Sequence, residues 1–181
     1  MKKLLSFIAL SLCSASFIYG QTFTLKSKDL GGQATLQQVF NGFGCTGGNI
    51  SPELHWENAP AGTKSFAVTI HDPNAPTGSG WWHWLIFDIP ANTLALPSNA
   101  GNVEAKLAPP TCIQSMTDFG KVGYGGPCPP EGHGFHEYLI TVYALKTDKL
   151  GLDQNANPAL VGYSLNSNTL QKASLVYYYK R

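Results

Sequence analysis

The sequence predicts a mainly β fold, and three observations carry that prediction. Six short segments, residues 23–26, 53–56, 65–71, 82–89, 137–145 and 173–179, are rich in β-branched and aromatic residues. Clusters of Gly, Pro, Asn and Asp separate them. One stretch alone, after Asn157, carries apolar residues at roughly helical spacing.

The chain opens with a basic Met1-Lys2-Lys3, an apolar run from Leu4 to Leu12 and a small residue, Gly20, before Gln21. That three-part layout is the one of a secretory signal peptide, so residues 1–20 are expected to be removed and residues 21–181 to form a single domain. Leu4 to Leu12 is too short to span a bilayer, and no later segment replaces it, so no transmembrane anchor is expected. A lipoprotein reading at Cys13 fits less well, because Leu12 before it is not small.

In the segment 65–71, Phe66, Val68 and Ile70 share one face by period two, while Ala67 and Thr69 share the other. Continuing that parity turns Asp72 toward the same apolar layer as Phe66, and His71 away from it. The same alternation in 82–89 gives Trp82 and Trp84 one face and gives His83 the other, with Trp81. Most of that tryptophan surface reads as core packing, the remainder as pocket lining or a cation–π seat. Segment 137–145 is apolar on both faces, the pattern of a strand between two layers. The helix begins with Pro158 at its first position and runs through Leu160, Val161, Leu165 and Leu170, weakened by Gly162 and several asparagines.

Charge excludes one class of partner. The full chain has 12 basic and 11 acidic residues, and Lys2 and Lys3 leave with the leader, so no nucleic-acid partner is implied. Past the leader stand Cys45, Cys112 and Cys128, an odd number; in an oxidising compartment two pair and one is left over.

Two stretches concentrate the candidate chemistry. One is His71-Asp72-Pro73-Asn74-Ala75-Pro76, followed by Gly80-Trp81-Trp82-His83-Trp84; the other is the Gly- and Pro-rich run 120–138. Alternating glycine and proline makes a loop that is shaped yet open to a ligand, or else an ordinary surface connection. A buried carboxylate at Asp72 needs partners, and imidazoles suit it: the carboxylate fixes their tautomer and favours their charged form. Two such imidazoles make a seat for a phosphate or a carboxylate. His83 and His136 each stand at the start of a strand beside one of these stretches. His133 lies in a loop with no obvious partner. A metal site from Cys128, His133 and His136, or from Asp72 with the histidines, matches no standard zinc spacing.

Taken in order, these motifs resemble the phosphatidylethanolamine-binding proteins, also called Raf-kinase-inhibitor-like proteins, and in particular their bacterial branch. The resemblance runs from Phe40-Asn41-Gly42-Phe43-Gly44-Cys45 and Asn49-Ile50-Ser51-Pro52-Glu53-Leu54 through the two stretches above. It continues through Thr117-Asp118-Phe119-Gly120, Gly125-Gly126-Pro127-Cys128-Pro129-Pro130 and His136-Glu137-Tyr138 to Ala159-Leu160-Val161-Gly162-Tyr163. It implies a Greek-key β-fold with a large central antiparallel sheet, a smaller sheet and a few peripheral helices. It also implies one small cavity lined by Asp72, His83 and His136, with Gly126, Pro129 and Pro130 as its rim and Tyr138 nearby. Such a cavity takes phosphate-like anions and phosphorylated head groups, with no cofactor and no metal. Family members also inhibit kinases or proteases through surfaces that differ among them, so a protein target is a further expectation. Exported bacterial relatives often carry cysteines at both positions matching Cys45 and Cys128, which implies that pair with Cys112 free and a periplasmic or secreted location.

Two positions depart from the family pattern. Asn74 stands where a second aspartate is usual, and Glu137 where arginine is common. Strand alternation would turn Glu137 away from His136 and Tyr138; turned inward, it would disfavour an anion. The alternative function is a hydrolytic enzyme using Asp72, His83 and His136 as acid and base. No Gly-x-Ser-x-Gly elbow, Walker loop or His-Glu-x-x-His motif accompanies them.

Overall fold

A computed structural model describes residues 21–181; the leader expected over residues 1–20, with Cys13, lies outside the described residues. Ten strands and one helix follow one another. They are β1 (Thr24–Lys26), β2 (Asn41–Gly42), β3 (Cys45–Thr46), β4 (Leu54–Glu57), β5 (Ser65–Asp72), β6 (Trp81–Pro90), β7 (Ala95–Leu96), β8 (Ile113–Gln114), β9 (His136–Leu145), α1 (Pro158–Asn168) and β10 (Thr169–Tyr179). A five-stranded sheet has the order β10-β9-β5-β6-β8, a smaller sheet the order β1-β4-β7, and β2 pairs with β3 alone. Every pairing between these strands is antiparallel. After β6 the chain makes a long excursion and returns in β9 beside β5 rather than beside β6, the kind of return that marks a Greek-key path.

The large sheet is the middle layer. Phe66, Val68 and Ile70 of β5 bury one face against Phe23, Leu25, Leu54 and Trp56 of the small-sheet side. Ala67 of β5, with Leu85, Phe87 and Leu145, buries the other face under Val161 and Leu165 of α1. The helix is fixed at its start by Asn157, whose side chain accepts from the Leu160 N–H at 2.9 Å, and by Pro158 in the first turn. It ends at Asn168; Leu170, expected on the helix, instead opens β10 and is 43% exposed.

The expected alternation of the tryptophans fails, and the reason is a β-bulge. Ile70 pairs with Trp84 and His71 with Trp82, so His83 is the extra residue in β6. The bulge flips the parity: Trp84 packs with Ile70 on the small-sheet side, whereas Trp82 packs with Leu85 and Phe87 on the helix side. His83 and Trp84 thereby leave the strand on the same side as Asp72.

Candidate functional site

Each wall of the site is placed by backbone that the bulge frees or that a side chain borrows. Beside β6 the chain from Thr117 to Gly125 continues the edge of the sheet. The Trp82 N–H donates to Asp118 Oδ2 at 2.7 Å, the Asp118 N–H to the Trp82 carbonyl at 3.2 Å, and the Gly125 N–H to the His83 carbonyl at 2.9 Å. These bonds carry Phe119 over the bulge, and Gly125 must be glycine because a Cβ there would lie 2.4 Å from the Phe119 ring. On the other side, Asn74 ties the end of β5 to the start of β9. Its N–H donates to Asp72 Oδ1 at 2.8 Å, and its Oδ1 accepts from the Glu137 N–H at 2.8 Å. An aspartate would accept that bond equally well, so Asn74 preserves the geometry while removing a charge.

The result is a cavity of about 190 Å³ whose floor is polar and whose walls are apolar. On the floor, His136 Nδ1 lies 2.7 Å from Asp72 Oδ2, with both side chains more than nine-tenths buried. His83 Nδ1 lies 2.6 Å from the Gly125 carbonyl, and burial pushes its imidazole down to about 4, against which the Gly125 bond and the Asp72 charge work only in part. His83 is therefore neutral at physiological pH, which corrects the expectation of two partly protonated imidazoles. The Tyr138 hydroxyl is fully buried and has no hydrogen-bond partner; burial first, and the Asp72 charge next, hold it protonated.

Phe43, Pro76, Trp81, Phe119, Pro129 and Pro130 form most of the walls. Phe43 sits in the two-residue turn between β2 and β3 at φ 51, followed by Gly44 at φ 83, so a bulky side chain holds a left-handed position that ordinarily favours Asn or Gly. Its ring lies 5.8 Å from Phe119 and is stacked on it, yet remains 67% exposed. Cys45 and Cys128 are bonded, with Cα atoms 6.1 Å apart, and join this hairpin to the Gly/Pro loop. Arg181 Nη1 donates to the Phe43 carbonyl at 3.2 Å behind the same rim. Cys112 is the free cysteine; its Sγ donates to the Pro109 carbonyl at 2.8 Å, and burial pushes the thiol up to about 11.

Asp72, His83, Pro129, Pro130, His136 and Tyr138 all line this one cavity. Gly126 does not line the cavity. Its N–H is held by Asn49 Oδ1 at 2.8 Å, and its Cα packs so closely that a Cβ would lie 1.9 Å from the Gln38 carbonyl oxygen. Its part is to let the rim loop approach the chain at Gln38, not to donate to a ligand. Glu137 alternates away from the buried His136 and Tyr138 and is absent from the lining. His133, without an expected partner, has its ring 5.8 Å from that of His136. Sequence reasoning missed Phe43 and Phe119 as walls, although both lie in motifs that it had singled out; aromatics set directly beside glycines were the available signal. The only hydroxyl and sulfur of the lining besides Tyr138 are committed: Thr77 Oγ1 donates to the Gly80 carbonyl, and Cys128 is in the disulfide. No group of three or more His, Cys, Asp or Glu among the described residues is arranged to hold a metal ion.

Comparison with known proteins agrees with this fold. Residues 26–180 match the family model described as phosphatidylethanolamine-binding protein. The UPF0098 protein YbcL of Escherichia coli is 47% identical over 176 residues, covering 97% of this chain and 94% of its own length. YbhB of the same organism is 46% identical over 153 residues, covering 83% and 96%. The crystal structure of E. coli YbcL, described as a new member of the mammalian PEBP family, superposes with a TM-score of 0.86 at 48% identity, over 88% of this chain and 98% of that one.

Proposed function

The chain belongs to the phosphatidylethanolamine-binding protein family, and from that premise we propose that it is an exported binding protein that seats a small phosphate-like anion, or a phosphorylated head group, in the cavity over Asp72, His83 and His136. One observation carries this reading: a buried Asp72–His136 pair at 2.7 Å beside a buried tyrosine hydroxyl without a partner, on the floor of an apolar cavity. Asp72 holds His136 by Nδ1, leaving Nε2 to face the ligand. The Tyr138 O–H lies beneath the floor, fully buried beside Asp72, where each hydrogen bond is electrostatically stronger. The ammonium of a zwitterionic head group meets Asp72 and the rings of Trp81 and Phe119. A protein target meets the same rim, where Phe43 is 67% exposed.

Calorimetric titration with phosphoethanolamine tests the reading. His136→Ala should weaken binding by about 1.5–3 kcal/mol and Tyr138→Phe by about 1 kcal/mol. Tyr138→Phe keeps the ring and so guards against a loss that merely reports misfolding. Unchanged affinity in both variants would put the ligand elsewhere, and turnover of the phosphomonoester would select the hydrolytic alternative.

A further inference from the structure

We infer that the cavity selects oxyanions that still carry a proton, hydrogen phosphate or a phosphomonoester monoanion, over anions of the same shape that only accept hydrogen bonds, with Nε2 of His83 making the choice. The inference rests on the reading of the cavity as an anion seat and adds the class of anion.

A carbonyl oxygen only accepts, so the 2.6 Å contact with Gly125 fixes the His83 hydrogen on Nδ1. The Gly125 N–H returns a bond to the His83 carbonyl, and the Phe119 and Tyr138 rings meet the imidazole edge-on at 5.3 and 5.1 Å, so the ring cannot turn its other nitrogen round. Nε2 therefore carries a lone pair and has no protein partner. The charged and titratable groups that act on this ring are Asp72 and His71 of β5 and Tyr138 of β9; Phe119 and Gly125 contribute none. Burial keeps it unprotonated down to about 4.

Asp72 is a second acceptor, its two oxygens already receiving the Asn74 N–H and His136 Nδ1. The Tyr138 hydroxyl is fully buried beside Asp72 and held protonated there. A ligand that satisfies such a floor must give a hydrogen to His83. A P–OH group does so. Sulfate offers only lone pairs, and a phosphodiester, as in a lipid head group, has no P–OH to give. The site thus points to free phosphate and soluble phosphomonoesters rather than to intact phospholipid.

Four ligands decide the matter at pH 6, about the second pKa of a phosphomonoester: inorganic phosphate, sulfate, phosphoethanolamine and glycerophosphoethanolamine. Phosphate should bind roughly tenfold to a hundredfold more tightly than sulfate, the range of one charge-assisted hydrogen bond made or left unmade. Phosphoethanolamine should likewise exceed its glycerol diester. His83→Asn keeps an N–H within reach of the Gly125 carbonyl and deletes Nε2, and should bring phosphate and sulfate to similar affinities. In the wild-type phosphate complex, ¹⁵N NMR should find His83 protonated at Nδ1 and bare at Nε2, a readout that needs no variant. Equal binding of phosphate and sulfate, equal binding of monoester and diester, or an imidazolium in the phosphate complex overturns this inference while leaving the anion seat standing. Failure of every oxyanion to bind removes both.

Discussion

His83 and His136 are the same residue type in one cavity, and their surroundings give them different tasks. His136 faces a carboxylate at 2.7 Å, whereas His83 faces a carbonyl at 2.6 Å and is enclosed by aromatic rings. The carbonyl stabilises a hydrogen on Nδ1 but supplies no full negative charge, so burial wins and the imidazole stays neutral. A stability consequence follows from its sign. Below the ordinary value of 6.5 the unfolded chain takes a proton on His83 that the folded chain refuses until about 4. The contribution of His83 to folding is therefore complete above pH 6.5 and is lost as pH falls toward 4, by about 3 kcal/mol in all. Urea denaturation of the wild type and His83→Asn at pH 7.5 and 4.5 measures it: the wild type should lose more stability than the variant, and parallel losses would refute the assignment.

At the scale of elements, the site depends on places where a regular strand is interrupted. The bulge at His83 puts Asp72, His83 and Trp84 on one side, and the β2–β3 turn lifts Phe43 over the mouth. A left-handed phenylalanine costs about 1–2 kcal/mol relative to a residue suited to that turn, set against about 0.5–1.5 kcal/mol from its contacts with Phe40 and Phe119. Phe43→Asn should accordingly leave the midpoint of unfolding nearly unchanged, within about 1 kcal/mol. Affinity for phosphoethanolamine should nonetheless fall several-fold, because one wall of the cavity is gone. A variant that binds as well as the wild type would show that Phe43 has no part in the site.

For the whole molecule, the Cys45–Cys128 bond joins residues 83 apart in sequence. Closing a loop of that size restricts the unfolded chain by about 4–5 kcal/mol in the loop-entropy account. It also couples the β2–β3 hairpin to the Pro129-Pro130 rim. The bond is compatible with an extracytoplasmic location, since such bonds persist in oxidising compartments. Mass spectrometry of cell fractions should find the oxidised protein outside the cytoplasm and beginning near Gln21. Cys45→Ser/Cys128→Ser should unfold at markedly lower urea concentration. A cytoplasmic main species still carrying Met1 would remove the export proposal, and unchanged stability would show that the bond contributes little.

Periodicity and composition by themselves determined much. The six strand segments, the helix at Pro158, the apolar parity of Asp72 with Phe66, Val68 and Ile70, and the turning away of Glu137 all follow from local geometry, because a strand alternates every two residues wherever it lies. The motifs, in their order, pointed to the family. Four short strands escaped notice: β2, β3, β7 and β8 have two residues each, too few for any period to register. Tertiary structure alone decided the rest. A bulge is defined by the partner strand, so the separation of Trp82 from Trp84 was invisible in β6 itself. That Asp72 takes His136 rather than His83 depends on residues 64 apart in sequence; the tautomer of His83 depends on the Gly125 carbonyl 42 residues away, and its neutrality on the burial that outweighs that bond. Burial and long-range hydrogen bonding set protonation, and neither exists until the chain has folded.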